Sequence, residues 1–105
     1  MSEEQILLEV TRRLVTNFKL NKIILFGSRA RGRADARSDY DFLVVASLQG
    51  KRRNMIVAMD RALRGMEIGR DIVLLTPEEF ERDVEIPGTI ARPAWLEGRV
   101  LYADS

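Results

Sequence analysis

The chain has 105 residues, 46% of them hydrophobic and 31% charged, and contains neither cysteine nor histidine. That length gives a single domain, 1–105, with a modest core, and the missing cysteine excludes disulfides, thiol nucleophiles and thiolate–zinc sites. The missing histidine removes the usual general base, so any chemistry must rest on carboxylates, hydroxyls, Lys or Arg, and the hard oxygen ligands among these suit magnesium or manganese.

The net charge of +1 conceals a gradient, because residues 12–70 hold fourteen Lys/Arg against five Asp/Glu. The acids Glu78, Glu79, Glu81, Asp83 and Glu85 cluster further on. A basic half suits a polyanion such as a nucleoside triphosphate or a nucleic acid, and equally a solvated surface. The longest apolar runs, 23–26, 42–46 and 72–75, are too short to span a bilayer. The charged first twenty residues do not read as a signal peptide, and the expectation is a cytoplasmic protein.

In chain order, Ser2 to Gln5 reads as a capping box. Ile6, Val10, Leu14 and Phe18 then recur at helical spacing, predicting an amphipathic helix over 3–18. Ile23 to Phe26 is a short buried strand that stops at Gly27. Residues 28–38 are polar and Arg-rich, beginning with a helical turn and continuing as a loop. Asp41 to Ala46 is a second strand and Lys51 to Arg64 a second helix, with Gly65 as its C-cap. Arg70 to Leu75 is a third strand. Thr76-Pro77-Glu78-Glu79 starts a short helix that Pro87-Gly88 ends. Residues 89–97 give a helical turn or two interrupted at Pro93, and Val100 to Tyr102 a last edge strand. Together these describe an α/β domain with three core strands and helices packed on the sheet.

The chemistry concentrates in Gly27-Ser28-Arg29-Ala30-Arg31-Gly32 and Ser38-Asp39-Tyr40-Asp41. Residues two apart in an extended segment project to one face, so Asp39 and Asp41 present their carboxylates together, with Cα atoms roughly 6.5–7 Å apart. Such a pair repels unless a cation or proton neutralises it, and it can reach a pair of cations of the kind used in phosphoryl transfer. Asp71 opens the third strand as Asp41 opens the second, and joins the cluster if those strands are neighbours. Gly27 lets the backbone approach a phosphate, the turn after it presents free N–H groups, and Ser28 adds a hydroxyl donor. Arg29, Arg31, Arg33 and Arg37 offer guanidinium groups to phosphate oxygens. Each feature alone has a bland reading: a turn, a surface pair of acids, a solubilising Arg run. It is the fixed constellation, Gly-Ser followed after ten residues by Asp-x-Asp, that chance does not supply.

This constellation resembles the signature of the DNA polymerase beta-like nucleotidyltransferases, and above all their MNT-type minimal members. The resemblance runs through Leu25 to Gly32, Ser38 to Asp41, Arg70 to Val73 and the closing Glu97-Gly98-Arg99-Val100-Leu101-Tyr102. It implies a small mixed sheet flanked by helices, the polymerase beta-like palm. It also implies that Gly27, Ser28 and Arg29 bind the nucleotide while Asp39, Asp41 and Asp71 hold two Mg2+ ions and form the catalytic triad. The implied reaction is transfer of AMP from ATP to a hydroxyl. By the same resemblance the acceptor is a tyrosine on a helical HEPN toxin, with the chain acting as its antitoxin in a hetero-oligomer. Pro93 departs from the continuous C-terminal helix expected there. Trp95 and Tyr102 are read as core or partner contacts, and the acidic stretch 78–85 as a docking surface.

Three other readings compete. A non-catalytic module could neutralise its partner by binding alone, although nothing in folding requires three converging carboxylates. A small-molecule acceptor would need an added domain. Specific nucleic-acid binding through the basic half is not expected, because no aromatics are interleaved with the Arg run.

Overall fold

The computed structural model describes residues 1–104 except Ala34 and Ala36. The element order is α1 (Glu3–Asn17), β1 (Lys22–Phe26), β2 (Tyr40–Val45), α2 (Arg52–Ala62), β3 (Arg70–Leu75), α3 (Pro77–Asp83), α4 (Ala91–Glu97) and β4 (Arg99–Ala103). The strands form one sheet in the order β3-β2-β1-β4. β1 pairs antiparallel with β2 and β4, and β2 pairs parallel with β3. The sheet is therefore mixed and flanked by helices, as the resemblance implies.

Local chemistry accounts for the elements. Ser2 and Gln5 form the expected reciprocal capping box on α1, whose apolar stripe buries Leu7, Val10 and Leu14. Thr76 and Glu79 repeat the device on α3, with Pro77 in its first turn. α2 ends earlier than expected. Its last turn tightens into i→i+3 bonds from Leu63 to Asp60 and from Arg64 to Arg61, and Gly65, at φ +90°, lies in the turn beyond.

Pro93 corrects the sequence reading, because α4 runs unbroken from Ala91 to Glu97. Pro93 is the third residue of this helix, where a backbone N–H has no acceptor inside the helix and its loss costs nothing. The first intrahelical-type bond instead runs from Ala94 N–H to the Ile90 carbonyl at 3.2 Å. The short helix α3 likewise ends at Asp83, ahead of Pro87-Gly88.

Alternation along the strands sorts the core into two layers. Tyr40, Phe42 and Val44 of β2 face α1 and α2, with Ile23 and Leu25 of β1 beside them. Leu43 and Val45 face α3 and α4 with Ile24, Phe80, Ala91 and Ala94. β2, covered on both faces, is accordingly buried at every position except Asp41. Trp95 is half exposed and edge-on to Phe80, with ring centroids 5.8 Å apart, and Tyr102 packs partly buried against the α1/α2 layer. No helix among the described residues is long and apolar enough to cross a membrane.

Candidate active site

The parallel pairing of β2 and β3 sets Asp41 directly opposite Asp71. On its other side Asp41 faces Phe26, the last residue of β1, after which Gly27 turns the chain. Thus the condition set by the sequence is met: the second and third strands are neighbours, and both aspartates stand at the same end of the sheet. Directly opposed residues share a face, so Asp41 and Asp71 lie on the α3/α4 side with Leu43 and Val73. Asp39, two residues before Asp41, is exposed, as is Asp71, while Asp41 is half-buried. The helices α3 and α4 cover this face further along and leave the carboxylate end open.

Two glycines abut these carboxylates. A Cβ on Gly27 would coincide with the Asp41 carboxylate, and one on Gly69 with that of Asp39. Gly27 also adopts φ +76°, a conformation side chains disfavour, so that position is doubly restricted to glycine. Gly69 is placed by a 2.8 Å bond from the Tyr40 N–H to its carbonyl. Sequence reasoning missed Gly69, and the only sequence signal was its place just before Arg70-Asp71.

Electrostatics register the crowding. The Asp41 carboxyl is pushed above the usual carboxylate range, first by burial, then by the negative charges of Asp71 and Asp39, with Arg31 opposing. Arg31 also makes a 3.5 Å ion pair with Glu97, tying the turn after β1 to the end of α4.

Arg29, expected among the nucleotide-binding residues, is engaged within the chain. Its Nε donates to the Ser38 carbonyl at 2.9 Å and a terminal nitrogen to the Asp35 carbonyl at 3.2 Å. Its guanidinium lies 4.0 Å from the centroid of the Tyr40 ring, which itself stacks on Phe42. Arg29 therefore straps the loop preceding Asp39 to the core. Ser28 lies half-buried in the turn, where the Arg31 N–H reaches back to the Gly27 carbonyl at 3.3 Å and the Arg33 N–H to that of Ser28 at 3.0 Å. Arg33 and Arg37 are exposed.

Three carboxylates of this kind are hard donors and fit a hard divalent cation, which would relieve the repulsion acting on Asp41. Among the described residues, however, no three His, Cys, Asp or Glu side chains are arranged as a ready cage for one ion. A depression of about 630 Å³ between α1 and residues 65–68 lies away from all three aspartates.

The sheet-end aspartate pair in register, the third aspartate at the same strand entrance and the Gly-Ser turn accompany a fold shared with known nucleotidyltransferases. Residues 9–104 match the family model "Polymerase beta, Nucleotidyltransferase", and the chain belongs to that nucleotidyltransferase family. Among solved structures it is similar to a toxin–antitoxin complex with AMP-PNP, at TM-score 0.70 and 19% identity over 94% of this chain and 74% of that one. It is also similar to a putative nucleotidyltransferase from Sulfolobus solfataricus, at TM-score 0.56 and 28% identity over 73% of this chain and 70% of that one. A mutant of the toxin–antitoxin MntA-HpeT aligns at TM-score 0.64 and 17% identity over 100% of this chain and 76% of that one. No curated protein matches the chain.

Proposed function

We propose that this chain, acting as one domain over residues 1–105, is a metal-dependent adenylyltransferase. In this reading it moves AMP from ATP to a hydroxyl of a partner protein, a tyrosine of a HEPN-type toxin, and thereby serves as the antitoxin in a cytoplasmic hetero-oligomer. The observation that carries the reading is the register of Asp41 against Asp71, with the Gly27 backbone packed on the Asp41 carboxylate. The family and two toxin–antitoxin neighbours, one of them holding AMP-PNP, support it.

Asp39, Asp41 and Asp71 would hold magnesium, which when bound supplies neutralisation of the charge developing on the transferred phosphoryl group. The remaining work falls to the chain. Gly27 admits the triphosphate close to the backbone, and the turn's N–H groups and the Ser28 hydroxyl donate to its oxygens. Arg31, freed from Glu97, adds a guanidinium. Arg29 acts by fixing the loop that carries Asp39. Asp71 accepts a hydrogen bond from the incoming hydroxyl. As that oxygen bonds to the α-phosphorus, the bond to pyrophosphate breaks and the hydroxyl proton leaves by way of the carboxylate or water.

The test is intact-mass spectrometry of the cognate partner after incubation with this protein, ATP and magnesium. The expected result is addition of one AMP residue per transfer, and none with Asp41→Asn. An unmodified partner that both proteins neutralise equally would leave binding alone as the function.

A further inference from the structure

Among the described residues the sheet ends at β3, whose outer edge carries no further strand. Bonds from Tyr40 N–H to the Gly69 carbonyl and from Ala46 N–H to the Leu75 carbonyl fix which backbone groups of β3 turn inward. By alternation in a parallel ladder, Arg70, Ile72 and Leu74 turn theirs outward. The Leu74 carbonyl is taken by Arg52 at 2.9 Å. The open stretch of edge is therefore Arg70 to Ile72, with Asp71 at its centre. Beside it, between this edge and α2, lies a groove of about 490 Å³ with Ile56, Val57 and Ile72 as its apolar part, the cations Arg61, Arg64 and Arg70, and the acids Asp60 and Asp71 at its edge. Asp60 in that groove is already paired with Arg70 at 2.9 Å, whereas Arg61 and Arg64 are exposed and have no ion pair among the described residues.

We infer that the edge of β3 receives an extended segment of the acceptor protein, with the modified hydroxyl opposite Asp71 and acidic side chains flanking it. The inference rests on the adenylyltransferase reading and deepens it. The register makes the argument. A residue directly opposite Asp71 on an added strand shares the face of the three carboxylates, with Cβ atoms about 4.5–5.5 Å apart. Its neighbours on either side must project to the opposite face, over the groove where Arg61 and Arg64 stand. Main-chain bonds would supply affinity and this alternation would supply specificity, as in other strand-addition complexes. Two unpaired cations beside an apolar floor select acidic neighbours over basic ones.

The test uses the whole protein, isotopically labelled, and two extended peptides carrying a central tyrosine flanked by Glu or by Lys. With an ATP analogue and magnesium present, the Glu peptide is expected to shift the amides of Arg70 to Val73 and to bind at least about tenfold more tightly than the Lys peptide. N-methylation of the Glu peptide's edge-facing amides should abolish binding. The double variant Arg61→Glu/Arg64→Glu should reverse the preference while leaving affinity for the ATP analogue unchanged. Equal binding of both peptides, or shifts elsewhere, overturns the docking site. So does a short single-stranded oligonucleotide that moves these amides when neither peptide does. Edge binding without AMP transfer from ATP would retain the surface and remove the reaction. Transfer without flanking preference would retain the reaction and remove the surface.

Discussion

Asp41 is held in a position that disfavours its own charge. Its carboxyl is raised in the folded chain by burial and by two neighbouring acids. A raised acid binds its proton more tightly folded than unfolded. Its penalty is therefore full above the raised value and disappears as pH falls below the ordinary one. Asp41→Asn should accordingly stabilise the metal-free protein by about 0.5–2 kcal/mol, read as a higher midpoint in thermal melts at neutral pH, while abolishing transfer. Magnesium should raise the midpoint of the natural protein and not of the variant, and its affinity should weaken as pH falls into the range where Asp41 protonates. An unchanged metal response in the variant would remove Asp41 from the ligand set. Gly27→Ala drives a methyl group into that carboxylate at φ +76°. It should cost about 1–3 kcal/mol of stability and most of the activity, both measurable by denaturant titration and the mass assay. Asp39, Asp41 and Gly27 were legible because their spacing is local. The strap made by Arg29 was not, since its carbonyl partners lie six and nine residues away in a loop whose path only the fold decides.

Secondary structure was legible wherever caps and periodicity agree, as at Ser2–Gln5 and Thr76–Glu79. It misled at Pro93, where the helix begins late enough for proline to fall in its first turn. Strand order was beyond the sequence: the apolar runs of β2 and β3 do not say that they pair in parallel. Helix α3 offers a test at this scale. Glu79 both closes its capping box and pairs with Arg52 at 2.7 Å, and the guanidinium holds its carboxyl down to about 2 from the ordinary 4.5. The pair's contribution is therefore full above pH 4.5 and is lost as pH falls from there towards about 2. Arg52→Met should make the acid limb of the stability curve shallower. Thr76→Ala should cost about 1 kcal/mol at neutral pH and change the acid limb less than Arg52→Met, because Arg52 is the larger cause of the lowered Glu79 carboxyl. Urea titrations across the pH range separate the two.

Across the whole molecule, stability and chemistry are spatially divided. No polar or charged residue is buried among those described, and the core lies in two apolar layers on either face of β2. Phe42, fully buried in the α1/α2 layer, should cost about 3–5 kcal/mol as Phe42→Ala, a large share of a small domain's total of roughly 5–15 kcal/mol. Leu96→Ala, at a position 66% exposed, should change stability by no more than about 0.5 kcal/mol. Comparable losses for both would contradict this layering.

The parallel register of β2 and β3 also dictates when, during folding, the acids meet. β1 and β2 are antiparallel neighbours in sequence and can pair early, bringing Gly27 against Asp41 at little entropic cost. Asp71 arrives only after the crossover through residues 46–69 has closed, a late and non-local event. Asp39 already repels Asp41 in the early hairpin, and the larger repulsion from Asp71 is added only once the third strand docks. A divalent cation that bridges the strands should therefore act chiefly by slowing unfolding, with little effect on the rate at which the chain first collapses.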